Sequence, residues 1–298
     1  SLKNAYDIVL AAVSTNGNAL RYAGPLMKFN SKIVKAAILL GTKPGNKVKK
    51  KLFGRRKSPL ILGGYHNRSN FNFVKMAVSH NGLMLRHASG KLKNNEEIVT
   101  LAVGNCAFAL EFAHPNLRNS KKVALSAVTK NGLVLEYASY DLRHDKEIVM
   151  AAVKQNGCAL EFAPWFDDNV EIVKMAVKSK ESLAFVNLDL RKDKDLVMMA
   201  VTVDGMQLEY AHYDLRNDKS VVIAAVTQNG DAIRFANFKL RMNKEIVKLA
   251  VTNEPKSVRY VPAADGLKAW AKLIAKKVES SKLSEENKED TELKDEDN

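Results

Sequence analysis

One phrase recurs along this chain about every 25 residues, and that period constrains the fold more tightly than any other feature. The stretch EIVMAAVKQNGCALEFA at 147–163 returns as KSVVIAAVTQNGDAIRFA at 219–236, KKVALSAVTKNGLVLEYA at 121–138 and YDIVLAAVSTNGNALRYA at 6–23. Anchored on the residue ending the first apolar cluster, the copies fall at Val13, Ile38, Val78, Val103, Val128, Val153, Val177, Val201, Val226 and Val251. Successive gaps are 25, 40, 25, 25, 25, 24, 24, 25 and 25, so about ten tandem units are interrupted by one insertion.

Each unit reads as two helices. In the copy at 142–163, Asp145 stands at an N-cap position and Glu147 in the first turn, where the helix dipole favours a carboxylate. Ile148, Val149, Ala152 and Val153 then form one apolar stripe. Asn156-Gly157 is expected to stop this helix through a left-handed glycine. A shorter helix follows around 159–163, and the link to the next unit runs through Leu-Arg, as at Leu142-Arg143 and Leu215-Arg216. An Asn-Gly pair between apolar runs also suits a β-hairpin, but the runs lack period-two alternation. A lone unit is shorter than the roughly 40 residues a self-supporting domain needs, so its stripe must be covered by neighbours. The expected fold is therefore an all-α solenoid of about ten two-helix repeats over 1–262. It carries a basic insertion at about 41–70, a capping helix at 263–279 and an acidic, disordered tail at 280–298. Leu267, Trp270, Ala271, Ile274 and Val278 form the stripe of the capping helix. Two units are degenerate: Lys180-Glu181 replaces Asn-Gly in one, and Glu254-Pro255 in the other.

The repeated phrase, with its Leu-Arg link, resembles the helical repeat known as domain of unknown function 4116, from intracellular bacterial pathogens, protists and large viruses. The likeness covers most of residues 5–262. It brings no catalytic residues with it; it implies an interaction module, often joined to other domains and in pathogens part of a protein delivered into a host cell.

Charge is unevenly laid down. The chain is +14 overall, but residues 279–298 hold nine acids against three lysines, so the body before them carries +20. Such a field attracts polyanions of any kind. Within the insertion, Lys43, Lys47, Lys49, Lys50, Lys51, Arg55, Arg56 and Lys57 make a run without an acid, suited to phosphate or anionic lipid. A second candidate is the ladder of basic residues after the linker leucine: Lys93, Arg118, Arg143, Arg191, Arg216 and Arg241. Glu136 is expected to pair with Arg143, and Glu209 with Arg216, whereas Arg234 beside Arg241 leaves one end of the array positive. Tyr22, Phe112, Tyr137, Phe162, Tyr210, Phe235 and Tyr260 recur beside leucine and alanine and are expected in the core.

Six scattered histidines and two cysteines, Cys106 and Cys158, give no catalytic triad, metal spacing or disulfide framework. The expectation is a non-enzymatic chain without cofactor. Its partner is another protein, with nucleic acid or anionic lipid as the alternative. No apolar run is long enough to cross a membrane, and the opening residues lack the pattern of a signal peptide, so a cytoplasmic setting is expected, or host cytoplasm or nucleus for a delivered chain.

Overall fold

The computed structural model describes residues 5–41, 64–179, 182–264 and 266–296, and all regular structure among them is helical. The ten expected long helices are present: α1 (Tyr6–Thr15), α2 (Ser31–Gly41), α3 (Phe71–His80), α4 (Glu96–Asn105), α5 (Lys121–Val128), α6 (Lys146–Gln155), α7 (Val170–Ala176), α8 (Lys194–Val203), α9 (Lys219–Gln228) and α10 (Lys244–Asn253). A final helix, α11, spans Leu267–Glu296. The chain divides into two compact units, Ser1–Gln155 and Asn156–Asn298.

Within the first unit α1 to α6 pack in sequence order, and within the second α8, α9, α10 and α11 do the same. All ten anchor residues are buried, as are Ile148, Val149, Ala152 and Val153 of the α6 stripe. The helices begin where a side chain satisfies the first free amides. Asp145 Oδ1 accepts from the Glu147 and Ile148 amides, Asp218 Oδ1 from Ser220 and Val221, and Asn243 Oδ1 from Glu245 and Ile246.

The second element of the repeat is a 3-10 helix, as at Gly132–Tyr137 and Gly205–Tyr210, and the link to the next repeat also makes a helical turn, such as Tyr140–Arg143 or Phe238–Arg241. With about three residues per turn, positions three apart eclipse, so Gly132, Leu135 and Ala138 share the buried face. Tyr137 is rotated away from that face and only half-buried, as are Phe112, Phe162, Tyr210, Phe235 and Tyr260, while Tyr22 is exposed. The aromatic row is therefore not the core, which is built from the leucines, valines and alanines beside it.

The glycine of the Asn-Gly pair has a different reason from the one expected. Among the described residues only Gly266 has a positive φ. Instead Asn131, Asn229 and Asp204 are extended and cap the 3-10 helix that starts at the glycine. A Cβ at Gly205 would stand 2.2 Å from the carbonyl oxygen of Ala225 in the next repeat, and one at Gly230 2.3 Å from that of Ala250. The glycine permits close stacking of repeats. Its amide is then held across the joint: Gly82 N–H donates to Asn105 Oδ1 at 2.8 Å, Gly157 N–H to Ser179 Oγ at 2.9 Å, and Gly205 N–H to Gln228 Oε1.

The degenerate repeat near Val177 solves the same problem with a buried side chain. Val203 stands where other joints carry the clamping Asn, Ser or Gln, and its side chain has no acceptor to offer. Gln207, fully buried, replaces it: its Oε1 accepts from the Leu183 amide at 2.8 Å, and its Nε2 donates to the carbonyls of Ser179 and Ala200 at 3.2 and 3.1 Å.

At the C-terminus α11 packs on α10 and on the 3-10 turn Pro255–Tyr260, with Leu267, Ala271 and Ala275 buried. The helix does not stop at 279. It continues to Glu296 through residues expected to be disordered, because that segment is rich in the strong helix formers Glu and Lys and contains no Gly or Pro.

Candidate interaction surface

The connecting turns between repeats carry a recurring surface. In the C-terminal unit the first or neighbouring residue of the turn is Trp165, Leu188, Tyr213 and Phe238 in four successive repeats, and all four side chains are exposed, Leu188 by 69 % and Tyr213 by 65 %. Tyr140 and Tyr65 occupy the same position in the N-terminal unit and are also exposed. Large apolar side chains left in water at a fixed register need a reason, since scattered ones do not.

Three residues further along the same turn stands the basic ladder: Arg68, Lys93, Arg118, Arg143, Arg191, Arg216 and Arg241. Backbone bonds between repeats set its register. The residue ahead of each turn donates its N–H to the carbonyl of the preceding ladder position: Ser89 to Arg68, His114 to Lys93, Ser139 to Arg118, His212 to Arg191 and Asn237 to Arg216, all at 2.9–3.0 Å. At several of the turns the residue ahead also caps its own turn, as Asn237 Oδ1 does for the Lys239 amide and Asn187 Oδ1 for that of Asp189. Arg68 was not separated from the insertion in the sequence, yet its turn, Gly64–Ser69, is a regular member of the series.

From Lys93 onward the ladder side chains are half-buried. Arg191 uses the position structurally, donating from Nε to the Val186 carbonyl and from Nη2 to that of Ala184, both at 2.8 Å. Burial lowers its pKa, opposed by Asp167 and Tyr210. In Arg118, Arg143 and Arg241 the Nε is shielded from solvent without a hydrogen-bond partner, and the Arg241 guanidinium lies 6.0 Å from the Phe238 ring centre.

The ion pairs expected between Glu136 and Arg143, and between Glu209 and Arg216, are not formed among the described residues. Paired charges run instead from one long helix to the next: Lys75–Glu97 (2.6 Å), Lys122–Glu96 (2.7 Å), Lys121 with Asp145 and Glu147 (both 2.7 Å), Lys194–Asp218 (2.7 Å) and Lys219–Glu245 (2.6 Å). Acids near the helix starts meet lysines of the adjacent repeat, and among the described residues the ladder arginines form no ion pair with a carboxylate, although Asp167 acts on Arg191 through its charge. Arg234 lies over Phe235 and Tyr260, at 4.4 and 5.7 Å from their ring centres, and donates to the Tyr260 hydroxyl at 3.3 Å.

Where two turns adjoin in the C-terminal unit, a groove of about 930 Å³ opens between them, its lining including Leu188, Tyr213, Arg191 and Arg216 together with the carboxylates Asp189 and Glu209. A second groove of about 940 Å³ lies along α3, α4 and α5, but its charges, Lys75, Glu96, Glu97 and Lys122, are already paired with one another. Among the described residues no three His, Cys, Asp or Glu side chains gather as metal ligands, and no helix is long and apolar enough to cross a membrane. Lys43, Lys47, Lys49, Lys50, Lys51, Arg55, Arg56 and Lys57 lie outside the described residues.

The sequence model of one family, described as Domain of unknown function (DUF4116), matches at 70–118, 120–166, 169–216, 193–241 and 218–264. The chain belongs to this family. Each match spans two of the structural repeats, and those beginning at 169, 193 and 218 overlap by advancing one repeat at a time. The structural unit is thus half the family's. No curated protein and no solved structure matches the chain.

The exposed row went unnoticed in the sequence although its signal is there. Tyr140-Asp141-Leu142-Arg143, Leu188-Asp189-Leu190-Arg191, Tyr213-Asp214-Leu215-Arg216 and Phe238-Lys239-Leu240-Arg241 all place a large apolar residue three before the arginine. Gly90 and Pro115 break the series in the N-terminal half.

Proposed function

We propose that this chain is a non-enzymatic interaction scaffold that seats another protein along the row of connecting turns. One observation carries the reading: Trp165, Leu188, Tyr213 and Phe238 are exposed in four successive repeats, and the last three each stand three residues before an arginine. Exposed apolar patches mark interaction sites, and aromatic residues and arginine dominate binding energy at protein interfaces. Repeats held at fixed spacing present such groups without an ordering cost. In a chain delivered into a host cell the partner is a host protein, and the chain works in the host cytoplasm or nucleus.

The test is partner capture with the full chain and with a Leu188→Ser, Tyr213→Ser, Phe238→Ser variant, whose three side chains are exposed in the fold. The reading expects a specific protein retained by the wild type and lost by the variant at unchanged helicity. Retention of the same proteins by both would refute it.

A second reading, binding of nucleic acid or anionic membrane, is favoured by Arg143 and Arg216 forming no ion pair among the described residues and by aromatics on which bases can stack. Its mark is salt. Affinity for single-stranded RNA, duplex DNA or anionic vesicles would fall steeply with rising salt, and less steeply once Arg143, Arg216 and Arg241 are neutralised.

A further inference from the structure

At one connecting turn a glycine stands in place of the large side chain. Gly90 occupies the place held by Tyr140 or Tyr213 elsewhere, and a Cβ built there would meet nothing within 4 Å. The missing side chain leaves open space beside a group of cations. The Ser89 amide donates to the Arg68 carbonyl at 2.9 Å, which brings the preceding turn alongside. Arg86 and His87 end the 3-10 helix Gly82–His87 just before Ser89, and Lys93 lies on the same short turn.

Among the described residues no carboxylate forms an ion pair with Arg68, Arg86 or Lys93. Glu96 and Glu97, the nearest carboxylates along the chain, are engaged with Lys122 and Lys75 at 2.7 and 2.6 Å. Arg86 is braced over the Phe112 ring, 5.3 Å from its centre. Burial, followed by the charges of Arg86, Lys93 and Arg68, pushes the pKa of His87 down to about 4, and burial with Arg86 and Arg68 lowers that of Lys93. The site therefore holds uncompensated positive potential, and an anion bound there would relieve it. It also holds unspent hydrogen-bonding capacity. Ser139 Oγ caps its own turn by accepting from the Leu142 amide, whereas Ser89 Oγ makes no such cap and is shielded from solvent without a partner.

We infer that Arg68, Arg86, His87, Ser89 and Lys93 bind a phosphate dianion, as inorganic phosphate or a phosphomonoester, in the space left by Gly90. Three cations suit two negative charges better than the single charge of a diester. Neutral His87 and the Ser89 hydroxyl supply donors that a tetrahedral oxyanion can use.

The experiment is amide NMR of the full chain at pH 7, titrated with inorganic phosphate, with sodium chloride of equal ionic strength and with dimethyl phosphate. The expected result is saturable shifts at residues 89–93 with a Kd on the order of 1 mM for inorganic phosphate. Lys93→Gln or Arg86→Gln would weaken binding about tenfold, the effect of losing one charge-assisted bond. If either variant loses its native spectrum, Arg68→Gln, whose side chain is exposed, takes its place. Bound phosphate also favours the imidazolium, so the His87 titration midpoint would rise by about one unit. Shifts that do not saturate, that chloride reproduces, or that survive the substitutions would overturn the site. Equal affinity for dimethyl phosphate would overturn its assignment to a dianion.

Discussion

Replacing Gln207 tests whether the joint at the degenerate repeat is held as described. The side chain is fully buried and meets four groups, but three of these keep another partner without it. The Ser179 carbonyl still receives the Ser182 hydroxyl at 2.8 Å, which satisfies that hydroxyl too, and the Ala200 carbonyl still receives the Asp204 amide at 3.0 Å. Only the Leu183 amide, bound to Gln207 Oε1 at 2.8 Å, is orphaned in the interior. Gln207→Leu keeps the volume and removes that acceptor, so the cost is that of one buried unsatisfied N–H, about 2 kcal/mol. Gln207→Ala adds a cavity and should cost about 3–4 kcal/mol. Gln207→Glu presents a carboxylate to two carbonyl oxygens and should be worst at neutral pH, recovering in acid as protonation restores a donor. Repeat arrays do not always unfold in one step, so denaturant melts should be paired with hydrogen exchange at Leu183, whose protection should fall in all three variants. A Leu variant within 0.5 kcal/mol of wild type and with Leu183 still protected would refute the reasoning.

Other outcomes follow from the same geometry. Gly205→Ala drives a Cβ to 2.2 Å from a backbone oxygen and should destabilise by about 1–3 kcal/mol in thermal melts, whereas Gly104→Ala meets nothing within 4 Å and should be neutral or slightly stabilising. Asp218 caps α9 and pairs with Lys194, and that pair and the Ser220 bond depress its pKa from 3.8 to about 2. Its contribution is complete above pH 3.8 and lost as pH falls through about 2, so the Tm gap between wild type and Asp218→Asn should narrow over that window. For His87, whose folded pKa lies below its unfolded value, stability should be complete above pH 6.5 and decline as pH falls toward about 4; in His87→Gln that part of the pH dependence should vanish.

The repeat was legible because burial is periodic. Each anchor from Val13 to Val251 lies at the end of a stripe that must face the next helix, so counting apolar clusters counts helices. The type of the second helix was not legible, because six residues such as Gly-Leu-Val-Leu-Glu-Tyr at 132–137 cannot separate a period of 3.0 from 3.6. That ambiguity put Tyr137 and its equivalents in the core. The purpose of the glycines was hidden for a different reason: what excludes a side chain at Gly205 is the Ala225 carbonyl one repeat away. Ion pairing failed likewise, since Lys219 and Glu245 meet only through the stacking of α9 on α10, while Glu209 and Arg216, close in sequence, do not meet. The basic ladder was visible, and the apolar row beside it was obscured by Gly90 and Pro115.

The central claim is that the row of connecting turns is where a partner sits. It is tested most directly by placing a photo-crosslinking amino acid at Tyr213 or Phe238, and as a control at Lys154 on α6, and irradiating the full chain in a cell extract. The account predicts a discrete protein adduct from the two row positions and none from the control. Adducts of equal yield from all three positions, or from Lys154 alone, would contradict it.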